Sequence, residues 1–214
     1  MSIINYANKE IQFKIVYYGP ALCGKTTNLT YIHAQVAPDN RGDMVSLATA
    51  ADRTLFFDFL PLHAVVIKGF KTKFQLYTVP GQVIYNATRQ LVLRSVDGIV
   101  FAADSQWDKM EENVESFRNM EENLAKMNIN LDEIPYVLQY NKRDMPNVAP
   151  VNYLEYLLNN RKVKVQSFEA CASTGENVFS TLNAISRLLL YKFTKESYSP
   201  DKRSKTTVLM STVR

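Results

Sequence analysis

Eight consecutive residues, Gly19-Pro20-Ala21-Leu22-Cys23-Gly24-Lys25-Thr26, constrain this chain more than any other stretch. They fill the pattern G-x-x-x-x-G-K-[ST] at each fixed position. The apolar run Phe13-Lys14-Ile15-Val16-Tyr17-Tyr18 before them reads as a buried strand, and residues 25 to about 36 read as a helix. A strand, a glycine-bounded turn and a helix, in that order, set successive backbone N–H groups around one anion at the positive end of the helix dipole. Gly19, Ala21, Leu22, Cys23 and Gly24 then form the anion loop, and Thr27 follows at the helix start. Lys25 would reach the β- and γ-phosphates of a nucleotide, and the Thr26 hydroxyl would ligate Mg²⁺.

The rest of the chain fits such a turn into an α/β fold. At 214 residues with 46% hydrophobic content, it is long enough for one domain with a proper core. Strand-like runs, among them Gly98-Ile99-Val100-Phe101-Ala102-Ala103-Asp104, alternate with helical stretches. Met110, Val114, Phe117, Leu124 and Met127 recur at helical spacing, as do Val178, Leu182, Ile185, Leu189 and Phe193. Both stripes read as core. The alternation predicts a mainly parallel central sheet with helices on both faces. The expected domain covers residues 1–194. Beyond it, residues 195–214 read as a disordered tail in which Lys195, Lys202, Arg203, Lys205 and Arg214 outnumber Glu196 and Asp201.

Which nucleotide the loop holds is indicated further along. Asn141-Lys142-Arg143-Asp144 follows the apolar run Ile134-Pro135-Tyr136-Val137-Leu138-Gln139-Tyr140, at the carboxyl end of an expected strand. Open α/β sheets bind ligands at that edge. The Asp144 carboxylate can accept two hydrogen bonds from the N1–H and N2 amine of guanine, a pattern adenine lacks. Asn141 can join this loop to the phosphate loop, and the Lys142 stem can lie over the base. GTP or GDP is the expected ligand.

Between the two motifs lies Thr78-Val79-Pro80-Gly81-Gln82, after the strand-like Lys73-Phe74-Gln75-Leu76-Tyr77. Small GTPases carry D-x-x-G-Q here, where the glycine N–H senses the γ-phosphate and the glutamine orients the attacking water. Gly81 and Gln82 fit, whereas Thr78 stands in place of the aspartate. With Asp52-Arg53-Thr54-Leu55-Phe56-Phe57-Asp58-Phe59-Leu60-Pro61, Gly69-Phe70-Lys71-Thr72 and the two nucleotide motifs, this substitution makes the chain resemble the bacterial gliding-motility GTPases of the MglA family, from about Asn5 to Phe193.

The resemblance implies a Ras-like switch that sets cell polarity and drives gliding or pilus-based motility. It implies that Arg53 is a built-in arginine finger, worth roughly 10³–10⁵ in rate in other GTPases. Thr54 would close on Mg²⁺ and the γ-phosphate, and Gln82 would position water. A roadblock-domain, MglB-type activator would dock on the switch segments, which polarity or motility effectors also read. Cys171-Ala172-Ser173 resembles the guanine-loop segment of Ras-like proteins, after an expected strand over residues 163–168; Ser173 replaces its usual lysine.

Three departures bear on catalysis or its partners. Ala21 stands where the family has glycine; a β-carbon there approaches the γ-phosphate side, and a positive φ would strain it by roughly 1–2 kcal/mol. Ala50-Ala51 replaces a more polar pair. Without the aspartate at position 78, the metal's water shell lacks its usual carboxylate, for which Asp58 is a substitute and an exposed strand residue the alternative reading. Two function classes follow: an intrinsically slow GTPase that cycles, or a GTP-bound effector platform that seldom hydrolyses.

Other features bound the setting. Cys23 and Cys171 both fall in nucleotide loops and give no disulfide framework, so a reducing cytoplasm is expected. His33 and His63 lack neighbours at metal-ligand spacing. The expected chain has no transmembrane span, and neither an acylated glycine nor a prenylated cysteine, since Ser2 follows Met1 and the terminus reads Thr212-Val213-Arg214. The net charge of +4 gives no support for nucleic-acid binding. The basic tail reads as a weak peripheral contact with an anionic membrane, a partner-binding segment or an inert extension, and recruitment to a cell pole or the inner membrane surface is the expectation that goes with the first.

Overall fold

The computed structural model describes residues 3–48, 54–67 and 69–197. Among them the order is β1 (Ile3–Asn5), β2 (Glu10–Tyr18), α1 (Lys25–Gln35), β3 (Val45–Ala48), β4 (Thr54–Ile67), β5 (Phe70–Thr78), α2 (Asn86–Leu93), β6 (Gly98–Asp104), α3 (Met110–Lys126), β7 (Tyr136–Asn141), α4 (Val151–Leu158), β8 (Ser167–Glu169) and α5 (Val178–Ser197). The strands form one sheet in the order β3-β4-β5-β2-β6-β7-β8, with β1 paired to β2. Neighbours from β5 through β8 are parallel, while β1, β3 and β4 are antiparallel additions. The expected mainly parallel α/β sheet is therefore present, with a longer antiparallel wing than the motifs suggested.

Period-two alternation on β2 divides the core. Ile11, Phe13, Ile15 and Tyr17 face α1 and α5, where they meet Leu29, Ile32, Leu182, Ile185 and Leu189. Val16 and Tyr18 face α2, α3 and α4, against Leu93, Phe117, Met120 and Leu154. Both helical stripes read from the sequence are buried or packed on the core. The strands of the parallel part end together, so Tyr18, Thr78, Asp104, Asn141 and Glu169 hand their following loops to one edge of the sheet.

Two boundaries differ from expectation. Residues 163–166 are not strand. In the parallel register that pairs Leu138 with Ser167, Val163 and Lys164 fall opposite Ile134 and Pro135, before β7 begins. Val163 is 78% exposed. Helix α5 also runs through Ser197, so residues 195–197 are helical, and residues 198–214 of the expected tail lie outside the described residues.

Pro61 sits inside β4, where a missing N–H usually breaks a ladder. Its carbonyl accepts the Gly42 N–H at 2.9 Å. A strand residue's nitrogen and carbonyl face the same side, so the proline nitrogen points to the outer edge, past the last β3 pairing at Val45–Phe59. The β4–β5 ladder loses nothing there.

Candidate functional site

The phosphate loop is shaped by close backbone contacts. Gly19 has φ 146°, and a β-carbon on it would lie 2.1 Å from the Ala102 carbonyl oxygen. Gly24 has φ 95°, and its β-carbon would lie 2.2 Å from Asn141 Nδ2. Leu22 takes a left-handed φ of 59° and turns its side chain outward, 65% exposed. Ala21 is not among the residues with positive φ, so the strain anticipated for it does not arise. What Ala21 meets is Gly81: a β-carbon on Gly81 would lie 2.3 Å from Ala21 Cα.

Lys25 is buried, and its ammonium donates to the Gly19 and Pro20 carbonyls at 3.0 and 2.6 Å. Burial first, and the nearby Arg89 charge further, hold its pKa below the ordinary 10.5. Burial pushes the Cys23 thiol up, which fits a small packed side chain better than a reactive one.

Beside the loop stands a buried carboxylate. Asp58 on β4 is fully buried. Its Oδ2 accepts from Thr26 Oγ1 at 2.6 Å and from Thr78 Oγ1 at 2.8 Å; its Oδ1 accepts from Ser46 Oγ at 2.5 Å. Thr78 Oγ1 in turn accepts the Asp58 N–H at 2.8 Å. The antiparallel register explains this: Phe59 pairs with Tyr77, which puts Asp58 level with Thr78. An acid on β4 thus reaches the place that an aspartate at position 78 would fill. The exposed-strand reading of Asp58 is excluded by its burial.

The other end of this segment is bound to a base. Arg89 on α2 is fully buried. Its Nε donates to the Pro80 carbonyl at 2.9 Å, Nη2 to the Gly81 carbonyl at 2.5 Å and Nη1 to Asn119 Oδ1 at 2.7 Å. Its guanidinium lies 5.1 Å from the Tyr18 ring, and the Tyr18 hydroxyl donates to the same Asn119 oxygen at 2.7 Å. Asn123 Nδ2 donates to Asn86 Oδ1 at 2.7 Å and to Tyr18 Oη at 3.2 Å, extending the network into α3. Nothing in the sequence reading singled out Arg89 or these asparagines.

On the base side, Asn141 joins two loops. Its Nδ2 donates to the Cys23 carbonyl at 2.7 Å, and its Oδ1 accepts the Ala172 N–H at 2.9 Å. That amide is therefore already bonded within the protein. Lys142 has a left-handed φ of 65° and pairs with buried Asp104 at 2.6 Å, which draws its stem across the strand ends. Asp144 is exposed. Cys171 Sγ and Ser173 Oγ lie 3.1 Å apart in a turn closed by the Gly175 N–H to the Cys171 carbonyl at 2.9 Å. Below the phosphate loop, Asn28, Gln139 and Thr181 tie α1, β7 and α5 together through paired amide bonds of 2.9 and 3.0 Å and one of 3.2 Å.

The sheet edge thus gathers Gly19 to Thr27, Gly81, Gln82, Asn141 to Asp144 and Cys171 to Ser173. Arg53 and the Ala50-Ala51 pair lie outside the described residues. Thr54 begins β4, where its backbone pairs with Ala48. A separate groove of about 840 Å³ opens between α3 and α4, with Asn119 in its lining.

A phosphate loop, a TxxGQ turn and an NKxD turn at the carboxyl edge of such a sheet define a P-loop small GTPase. The sequence profile of the Ras family matches residues 14–192. The chain is 54% identical, over 91% of its length and 99% of the relative's, to the mutual gliding-motility protein MglA of Myxococcus xanthus (strain DK1622). It is 24% identical, over 82% of its length and 72% of the relative's, to Ras-related protein rab-39 of Caenorhabditis elegans. The chain belongs to the Ras family of small GTPases, in the branch of the MglA proteins. Among the described residues no helix is long and apolar enough to cross a membrane.

Proposed function

We propose that this chain is a GTP/GDP switch for cell polarity and gliding or pilus-driven motility, acting in the cytoplasm and recruited to a cell pole or the inner membrane surface. The observation that carries the nucleotide reading is the Asn141 side chain, bonded at once to the phosphate loop and to the guanine loop. One residue then sets the distance between the base and phosphate subsites. In this reading Asp144 accepts from the guanine edge, Lys142 covers the base, and Cys171, Ala172 and Ser173 line its far side. Because the Ala172 amide is already engaged, the guanine oxygen is met by a neighbouring N–H of the same turn.

The donor set around Thr26 suits Mg²⁺, a hard cation that keeps several waters and takes few protein oxygens. Thr26 and Thr54 would ligate it, and Asp58 would steady its waters from β4. When bound, the metal neutralises charge between the β- and γ-phosphates. The absence of a three-residue acidic or histidine cluster among the described residues is compatible with such a site, since most ligands are phosphate and water.

For hydrolysis, Gln82 orients the attacking water, Lys25 binds the phosphates, and Arg53 supplies positive charge as the transition state develops. Docking of a roadblock-domain activator brings Arg53 and Gln82 together. Exposed Ile84, 83% accessible beside Gln82, suits the surface that such a partner or an effector reads. Turnover without the activator is slow. The second reading, a GTP-bound platform, draws on Ala21 in the phosphate loop, packed so close to Gly81 that a β-carbon on Gly81 would lie 2.3 Å from Ala21 Cα, and on Thr78 in place of the aspartate.

Single-turnover GTP hydrolysis, alone and with a roadblock-domain partner, separates the two. Strong stimulation of the native protein supports a cycling switch, and Arg53→Ala should then remove a stimulation of roughly 10³-fold or more while leaving GTP binding intact. Loss of binding instead would make Arg53 structural. Stimulation that appears only in Ala21→Gly would establish the platform.

A further inference from the structure

The buried guanidinium of Arg89 is the least explained charge in the molecule. None of the ion pairs among the described residues involves it. Its charge is met by two backbone carbonyls, one amide oxygen and a tyrosine face. Removing a cation from water costs several kcal/mol unless excellent geometry offsets it. A hydrocarbon side chain would avoid that cost but leave the Pro80 and Gly81 carbonyls without their donor, so what arginine supplies here is hydrogen bonds to those two groups.

The geometry accounts for it. In a trans peptide the C=O and N–H point in opposite directions, and no peptide among the described residues is cis. The Nε bond to the Pro80 oxygen therefore turns the Gly81 N–H away from α2. The Nη2 bond to the Gly81 oxygen likewise turns the Gln82 N–H and sets the direction in which Gln82 leaves the turn. Gly81 itself rests against Ala21 of the phosphate loop. A guanidinium can hold both carbonyls because its donors form a rigid fork; an ammonium cannot. Asn119 fixes the fork from the other side, and Tyr18, the residue before Gly19, holds Asn119.

We propose that Arg89 is a positioning residue for the response to the γ-phosphate: it aims the Gly81 N–H at that group and sets the approach of Gln82. The proposal rests on the reading of the site as a GTP site. It makes the turn a preset sensor, so the network from Tyr18 through Asn119 to Arg89 distinguishes GTP from GDP without touching either.

The test uses the full chain as native protein, Arg89→Met and Arg89→Lys. Fluorescent GDP and a fluorescent non-hydrolysable GTP analogue are titrated into each, with melting temperature and single-turnover GTP hydrolysis alongside. Both variants are expected to bind GDP within about threefold of native, to bind the analogue about tenfold more weakly or worse, and to hydrolyse GTP at least tenfold more slowly, because each bond to a charged group contributes about this much. Equal weakening for both nucleotides in step with the melting temperature would make Arg89 merely structural, and unchanged ratios would also overturn the proposal. Should Arg89→Met fail to fold, Arg89→Lys decides by the same ratio. If the native protein binds neither nucleotide, the site reading falls and the proposal with it, visibly in the native arm alone.

Discussion

The turn from Thr78 to Gly81 is held by opposite charges at its two ends. At Thr78 the partner is the Asp58 carboxylate, which collects three hydroxyl donors. At Pro80 and Gly81 the partner is the Arg89 guanidinium, which collects carbonyl and amide acceptors. Neither buried charge is ion-paired among the described residues, so each is solvated by protein dipoles instead. In the proposed reading the anionic end faces Thr26 at the metal and the cationic end lies near Lys25 at the phosphates. The difference teaches that one short turn can serve both sides of a metal–phosphate complex if its supports come from separate elements, here β4 and α2.

The acid end is tested by one isosteric change. Asp58→Asn keeps an oxygen for Thr26 and Thr78 but loses the charge and turns an amide N–H toward Ser46, whose hydroxyl must reverse to accept, and about 1–3 kcal/mol of stability should be lost, read as a shift of the denaturation midpoint. A smaller effect sharpens the assignment. Thr78→Asp sets two carboxylates against each other, whereas the double change Asp58→Thr with Thr78→Asp moves the acid across the strand pair. A double-mutant cycle should give a coupling of about 2 kcal/mol in favour of the double change, and additivity would break the idea that Asp58 fills the vacant position.

The pH dependence of GDP affinity probes the cationic end. Bound phosphate favours the Lys25 ammonium and raises its pKa, so binding takes up a proton wherever free Lys25 is neutral. Affinity is therefore full below the free-protein pKa of Lys25, which burial holds under 10.5. It falls as pH rises through that value, by up to about tenfold per pH unit. A GDP titration that stays flat until 10.5 would remove the argument. Arg89→Met removes the donor from the Pro80 and Gly81 carbonyls and should cost about 1–3 kcal/mol of folding stability, read as a shift of the denaturation midpoint. The least effect belongs to Ala21→Gly, which should cost about 0.5–1 kcal/mol by loosening the unfolded chain while opening space beside Gly81; calorimetry and single-turnover rates measure the two separately.

The phosphate loop, the NKxD turn and the core stripes were legible because each is a contiguous pattern whose spacing has one physical meaning. Of the supports of the turn, the sequence offers Asp58 as a substitute carboxylate, with an exposed strand residue as the alternative, and does not single out Arg89. Asp58 announces itself only as an acid in an apolar run, and its burial follows from a cross-strand register that no local pattern encodes. Arg89 stands in Asn86-Ala87-Thr88-Arg89-Gln90, a short segment with no side-chain cap, and reads as the polar face of a helix. Its partner on α3, Asn119, and Asn123 bonded to that residue share the inward face with Phe117, Met120 and Leu124. A stripe search that counts only apolar residues passes over them. Residues 163–166 failed the other way: Val-Lys-Val-Gln alternates as a strand does, yet Val163 and Lys164 fall opposite residues that precede β7.

The proline in β4 bears on how the molecule behaves in company. Below the end of β3, the outer side of β4 is a sheet margin, and an unpaired row of donors and acceptors there would invite another chain to add itself. At Pro61 that margin has no donor to offer, and its carbonyl is already taken by Gly42. With Leu62 beside it bridged to Arg41, this flank offers little to an added strand.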